Sequence, residues 1–400
     1  MSCGGGGDRL LVSGARRFVR VALFVCVAVS CGSGSGGTVT SGSGGEVGAP
    51  GPRWDPALAW TGREVLVFGG SSDGPGSGTG RRNDGLLLTP DLTSSRPLPP
   101  SPFELPLVAP SAAASGGRVY VAGIMCSDEA PRELDDPPCE PGTFAVASYD
   151  PEASRWRRLD APDVDVDGRA GVRVLGASDD GRVVVAVSTA ADPSQVWLYS
   201  PDDSAWEAAP ADGGGSAVAG RDACVAGTHV VLLGSGDPAA GRQPIGEGVV
   251  AHVLDLGTAT PTWSTTDPIS HTFAQPATVA CHPGGAVVTA GGSPSSGAWS
   301  LALPSMSWHT ASAAPVVEDR NGAPSVYVAR EWIGTSLFFA SLGSGEPGLS
   351  YDPAGDRWSE RAASPGSPSD LVWTGEVLIG PSEGPADGGA AGSLISFSPS

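Results

Sequence analysis

The segment YDPEASRW, residues 149–156, places a tyrosine seven positions before a tryptophan and recurs along the chain. Five further segments repeat it with changes at one or more positions: YSPDDSAW (199–206), YDPAGDRW (351–358), LALPSMSW (301–308), LDLGTATPTW (254–263) and LTPDLTSS (88–95). The unit that contains it is about 50 residues long, and a period of this size indicates an architecture built from repeated supersecondary units.

The other half of each unit is a short apolar strand that follows a tight glycine turn. It occurs seven times: WTGREVLVFGG (60–70), SGGRVYVAG (115–123), DGRVVVAV (180–187), GTHVVLLGS (227–235), GGAVVTAGG (284–292), WIGTSLFFAS (332–341) and WTGEVLIG (373–380). Short runs of β-forming residues between turn residues are typical of buried strands. Each unit therefore predicts four antiparallel strands, with a variable loop between the second and the third.

The alternation of Gly-Gly, tyrosine and tryptophan resembles the kelch repeat over residues 53–400. This resemblance, to the kelch and galactose-oxidase class, implies an all-β fold, a seven-bladed kelch-like β-propeller. The last unit ends at Ser400 before its tryptophan strand, and Arg53-Trp54 lies just upstream of the first unit. We predict that Arg53-Trp54 supplies the outer strand of blade seven, so that the N- and C-terminal segments close the ring.

Composition and charge exclude several classes of protein. The chain has 59 glycines and 37 prolines among 400 residues, too many for a helical bundle. Its 23 basic residues are all arginine and face 43 acidic ones, for a net charge of −20. Duplex nucleic acid binds through phosphate neutralisation, so this charge argues against a nucleic-acid partner.

The N-terminal region predicts the location of the protein. Arginines precede nine apolar residues at 21–29, a run too short to span a bilayer but suited to a signal peptide. The sequence AVSC ending at Cys31 resembles the lipobox of bacterial lipoproteins, which implies lipidation of Cys31. The alternative is ordinary secretion with an incidental cysteine.

A Gly/Ser-rich stretch follows at 32–48 and is typical of a flexible tether. The predicted organisation is a signal peptide (1–30), a lipidated cysteine with its linker (31–52) and the propeller (53–400). We expect an extracytoplasmic monomer that the lipid alone anchors to the outer face of the cell membrane.

Four cysteines follow Cys31, and outside the cytoplasm an even number suggests disulfides. Cys126 and Cys139 bracket an acidic loop and predict a local bridge; calcium binding by that loop is an alternative to simple solvation. Cys224 and Cys281 each stand three residues before a turn glycine, so they share a register in blades four and five. We predict a bridge between those blades, with two small buried thiols as the alternative.

The aromatic and histidine residues give no catalytic signature. The repeat tryptophans are expected to pack between blades, and Trp60, Trp332 and Trp373, at the turns after the innermost strands, are also read as structural. The five histidines show no zinc spacing, and we predict no metal and no cofactor. The copper radical oxidases of this fold need two free tyrosines beside two histidines, and most tyrosines here belong to the repeat.

The variable loops are the predicted binding face, because rigid scaffolds usually carry function on such loops. Within them Arg81, Arg82, Asn83, Arg242 and Gln243 bring basic and amide groups into an acidic molecule. Guanidinium groups suit carboxylates of a partner; the alternative is that they only balance nearby acidic residues. We predict a non-catalytic protein- or glycan-interaction module. The alternative is a polysaccharide hydrolase or lyase, which carboxylates of raised pKa at the channel mouth would favour.

Overall fold

Each repeat forms one antiparallel sheet, and seven sheets make the blades of a β-propeller. The computed structural model describes residues 51–74, 80–126, 142–162, 164, 166, 171–188, 195–211, 223–235, 246–273, 275–319, 325–341, 345–364, 366–368, 370–385 and 393–399.

Blades 1 to 3 each contain four strands in chain order from the ring axis outward. They are β1 (Ala57–Trp60), β2 (Val65–Phe68), β3 (Gly85–Leu88) and β4 (Ser95–Pro97); β5 (Leu107–Ser115), β6 (Arg118–Met125), β7 (Thr143–Asp150) and β8 (Arg155–Leu159); β9 (Gly171–Ala177), β10 (Val183–Ser188), β11 (Gln195–Ser200) and β12 (Ala205–Ala208).

Blades 4 to 6 repeat this order, with a short ribbon and two 3-10 turns added. The strands are β13 (Ala223–Ala226), β14 (His229–Ser235), β16 (Val249–Asp255) and β17 (Thr262–Thr265); β19 (Thr278–His282), β20 (Gly285–Thr289), β21 (Ala298–Ala302) and β22 (Ser307–Thr310); β23 (Tyr327–Trp332), β24 (Leu337–Ser341), β25 (Pro347–Asp352) and β26 (Arg357–Ala363). The ribbon pairs β15 (Gly246–Glu247) with β18 (Thr272–Phe273), and the 3-10 turns are Ala290–Gly292 and Pro294–Ser296.

Blade 7 differs from the others within the described residues. Its strands β28 (Val372–Trp373), β29 (Leu378–Pro385) and β30 (Leu394–Phe397) pair in that order, and β27 (Gly366–Pro368) pairs with the far end of β29. The prediction that Arg53-Trp54 forms its outer strand was wrong. Trp54 exchanges backbone hydrogen bonds with Ser71 at 2.8 and 2.9 Å, and Arg53 forms an ion pair with Asp84 at 3.0 Å, so both belong to blade 1. Closure by other residues of the terminal segments stays a prediction.

The core lies between the blades. The described residues form seven hydrophobic clusters, one for each pair of neighbouring blades, including the pair formed by blades 1 and 7. Successive side chains of a strand face opposite sides of its sheet. Val183 and Val185 of β10 therefore pack towards blade 2, whereas Val184 packs towards blade 4. Because both faces are buried, the second strands are continuous apolar runs.

The repeat tryptophans pack between blades, which confirms the sequence prediction for four of them. Trp156 of blade 2 contacts Phe68 of blade 1 at 5.4 Å between ring centroids, and Trp206 contacts Phe144 of blade 2 at 6.3 Å. The indole N–H groups of Trp263 and Trp308 donate to backbone oxygens that follow the preceding blade, at 2.6 and 3.0 Å. Each thereby links its outer strand to the preceding blade.

Candidate functional site

A channel of about 840 Å³ is lined by the innermost strands of all seven blades. Much of its wall is made of small residues, such as Ala112, Ala113 and Ala114 of β5. Small side chains at these positions leave the axis of the ring open. Ligand sites in proteins typically measure about 300–1,000 Å³, so the channel is large enough for a small ligand.

A disulfide forms part of the channel wall. Cys224 of β13 and Cys281 of β19 are bonded, with their Cα atoms 5.7 Å apart. This confirms the predicted bridge between blades 4 and 5. The bond fixes two neighbouring inner strands at the depth where both face the channel.

Three tryptophans, which we call the tryptophan arc, surround part of one channel mouth. Trp60, Trp332 and Trp373 are the last residues of the inner strands of blades 1, 6 and 7, and all three are half-buried and line the channel. Each pairs with the first residue of the next strand, so all three share one register. The corresponding residues of blades 2, 3 and 4 are small: Ser115, Ala177 and Ala226. At this register the large aromatic residues are therefore confined to one side of the ring.

The sequence interpretation of these tryptophans as structural is incomplete. Trp60 and Trp373 pack partly against the hydrophobic clusters on either side of blade 7, and Trp332 packs against the cluster between blades 5 and 6. The remaining surface of each indole is open to the channel. Their recurrence at the turn was the available signal, but only the ring arrangement shows that three consecutive blades bring them to one mouth.

His282 supports the arc from blade 5. Its imidazole stacks on Trp332, with ring centroids 5.8 Å apart and an interplanar angle of 29°. The Gly284 N–H lies 3.3 Å from Nδ1, which accepts that hydrogen bond. Burial lowers the pKa of His282 to about 4, so the ring is neutral at physiological pH.

Glu331 places a carboxylate next to the arc, at the penultimate position of β23. It lines the channel, and its Oε1 accepts a hydrogen bond from the Trp373 N–H at 3.3 Å. Burial raises the pKa of Glu331 to about 8, opposed by this hydrogen bond and assisted by the negative charge of Asp370. Among the described ion pairs none involves Glu331. Sequence reasoning missed this residue, although a charged pair, Arg330-Glu331, inside an apolar strand was a visible signal.

Two arginines also line the channel. Nη2 of Arg330, the residue before Glu331 in β23, donates to the Tyr327 carbonyl at 3.0 Å. Arg173 lies on β9 of blade 3, across the ring from blade 6.

Of the predicted binding residues in the first loop, Arg81 and Asn83 mainly contact other parts of the protein. Arg81 is only 9% exposed and lies where Ser71 bridges to the loop. The Asn83 amide donates to the Phe103 carbonyl at 2.8 Å and accepts from the Ser101 hydroxyl at 2.8 Å. Arg82 is half-buried and keeps part of its surface. Arg242 and Gln243 lie outside the described residues, and binding by this face stays a prediction.

Several other predictions also concern residues that the structure does not describe. Cys31 and Cys139 lie outside the described ranges, as does most of the acidic loop; Cys126 is buried and disulfide-bonded. The described residues hold no group of three or more potential metal ligands. Within the same part of the chain, no helix has the length and apolar character needed to cross a bilayer.

No family model matches the chain, and no curated protein matches it. One solved structure with which it shares similarity is described as "Structure of YjhT": the two are 14% identical with a TM-score of 0.44, over 88% of this chain and 95% of that one.

Proposed function

We propose that this protein is an extracytoplasmic binding module that engages a protein or glycan of the cell envelope through its central channel. The observation that carries this proposal is the channel mouth, where three half-buried tryptophans and a carboxyl group with no ion pair among the described residues line one open volume. Exposed indole surface and a buried carboxylate are costly to maintain in a fold that does not use them. Their concentration at one mouth favours a ligand site there.

The location is part of the same proposal. A signal peptide followed by a lipidated Cys31 would hold the propeller on a Gly/Ser tether at the outer face of the membrane. The recurring Gly-Gly, tyrosine and tryptophan pattern supports the interaction role, because it resembles the repeats of a family of propeller modules. Replacing Cys31 with alanine should move the protein from washed membranes to the soluble fraction; retention of a correctly processed variant would contradict the lipid anchor.

Capture experiments test the binding role. The full-length protein is immobilised and incubated with envelope extract, and bound protein and glycan are identified. We expect Trp332→Ala and Trp373→Ala to reduce capture strongly, whereas the control Trp263→Phe, in an outer strand, should not. Equal capture by all variants would show that the channel mouth is not the binding site.

A second function is favoured by one observation, the raised pKa of Glu331 next to Asp370. A carboxyl group that is protonated at neutral pH can act as a general acid, with a neighbouring carboxylate in another role. The candidate reaction is hydrolysis or elimination on an envelope polysaccharide. Release of reducing ends by the wild type, abolished by Glu331→Gln with binding retained, would establish an enzyme; no turnover on these polymers would argue against it.

A further inference from the structure

We propose that the ligand group bound at the tryptophan arc is a quaternary ammonium group, held between the indole rings and the Glu331 carboxylate. This inference rests on the proposed function, since it assumes that the channel mouth is the binding site. It goes further by naming the chemical group that the site recognises.

The hydroxyl groups next in sequence to two members of the arc, and the hydroxyl at the same register of blade 2, are already hydrogen-bonded within the protein. The Thr61 hydroxyl donates to the Glu64 carbonyl at 2.8 Å, and the Thr374 hydroxyl donates to the Val377 carbonyl at 3.0 Å. In blade 2, the Ser115 hydroxyl donates to the Gly181 carbonyl at 2.9 Å. A sugar needs several hydrogen-bonding partners, whereas a quaternary ammonium group has no N–H to satisfy.

The groups that remain at the arc are the indole faces and the Glu331 carboxyl group. Tryptophan has the most favourable aromatic face for a cation, and aromatic cages are the usual receptors for quaternary ammonium groups. Three tryptophans from consecutive blades line this mouth, and Oε1 of Glu331 accepts a hydrogen bond from the Trp373 backbone N–H at 3.3 Å. Because burial raises the pKa of Glu331 to about 8, this carboxyl group is mostly protonated in the free protein, and a bound cation would favour its ionised form. Indole faces and this carboxyl group together fit a bulky organic cation, whose binding should release a proton and tighten as the pH rises towards 8.

A cationic ligand would have to avoid the two arginines that line the channel. The Arg330 guanidinium donates to the Tyr327 carbonyl at 3.0 Å, and Arg173 belongs to blade 3, across the ring from blade 6. Burial keeps His282 neutral while it stacks on Trp332. The chain has no lysine and a net charge of −20, which also attracts a cationic ligand.

Choline and its neutral carbon analogue 3,3-dimethyl-1-butanol provide a matched pair of probes, because they have the same shape and differ in charge. Binding to the full-length protein is measured by calorimetry and by tryptophan fluorescence, with methyl glucoside as the sugar probe. We expect choline to bind at least about tenfold more tightly than the neutral analogue. Trp332→Ala and Glu331→Gln should each weaken choline binding about tenfold or more, whereas Trp263→Phe should leave it unchanged.

The outcomes separate this inference from the proposed function. Equal affinity for choline and its neutral analogue, or no binding of choline at millimolar concentration, would overturn the ammonium assignment. If methyl glucoside bound instead and the arc variants abolished its binding, the channel would remain the site with a different ligand class. If the arc variants also captured envelope ligands normally, the proposed function itself would fail.

Discussion

The bridge between Cys224 and Cys281 allows a quantitative test of how the ring is stabilised. The two cysteines are separated by 57 positions in sequence, so the bond closes a long loop in the unfolded chain. Loop-closure entropy for this length corresponds to a lost unfolded-state entropy of about 14 cal/mol/K, or about 4 kcal/mol at 25 °C. The double variant Cys224→Ala/Cys281→Ala should lose most of that free energy of unfolding, because the two inner strands stay packed in the cluster between blades 4 and 5.

Urea unfolding followed by circular dichroism measures this difference, with the m value as the check on the unfolded state. The single variants Cys224→Ala and Cys281→Ala serve as controls, because each removes the bond and keeps one sulfur atom in the channel wall. Reducing agent is left out, because it would also break the disulfide of Cys126. A loss below about 1 kcal/mol with an unchanged m value would refute the reasoning. The unfolded chain would then have to be restricted across this loop by something other than the bridge.

Three further predictions concern stability. Burial raises the pKa of Glu331 to about 8, so the folded protein keeps a proton that the unfolded chain releases above pH 4.5. The free energy of unfolding should therefore fall as the pH rises from 4.5 to about 8. The variant Glu331→Gln should flatten this part of the pH profile. The Asp356 carboxylate accepts hydrogen bonds from the Ser312 N–H at 2.9 Å and from the Tyr351 hydroxyl at 2.7 Å, and these bonds lower its pKa. In urea unfolding at neutral pH, Asp356→Ala should lower the free energy of unfolding by about 1 kcal/mol. The difference should shrink as the pH falls below the usual pKa of an aspartate. Trp263→Phe should cost about 1 kcal/mol by removing the hydrogen bond to Pro210, without changing ligand affinity; a neutral effect on stability would mean that water replaces that bond.

The architecture could be predicted because each repeat carries its own register markers. The turn glycines at 227 and 284 place Cys224 and Cys281 at adjacent levels of neighbouring inner strands, and this spacing was sufficient to predict the bridge. Likewise the fixed tyrosine-to-tryptophan step places the tryptophan on the outer strand beside its tyrosine, as in the pair Tyr149 and Trp156. Local spacing determines these features, so the sequence contains them.

The candidate site could not be predicted in the same way, because it depends on residues from different blades. The unusual pKa of Glu331 results from burial against a neighbouring blade, and nothing within β23 shows how deep that position lies. Conversely, Arg81 is surrounded in sequence by polar residues and is predicted to lie on the binding face, yet it is only 9% exposed and pairs with Ser71. Polar composition indicates a loop but does not show which of its side chains the fold uses internally.

The tryptophan arc also lies across the place where the ring closes. Its three members come from blades 6, 7 and 1, so the first and the last blades of the chain both contribute to one mouth. The described contacts at this seam are a hydrophobic cluster shared by blades 1 and 7 and a hydrogen bond from the Ser396 hydroxyl to the Pro90 carbonyl at 3.0 Å. A ligand that contacts all three indoles would bridge the seam, and binding free energy would then add to the stability of the closed ring. Closure of the propeller and occupancy of the site are therefore linked through the same three residues.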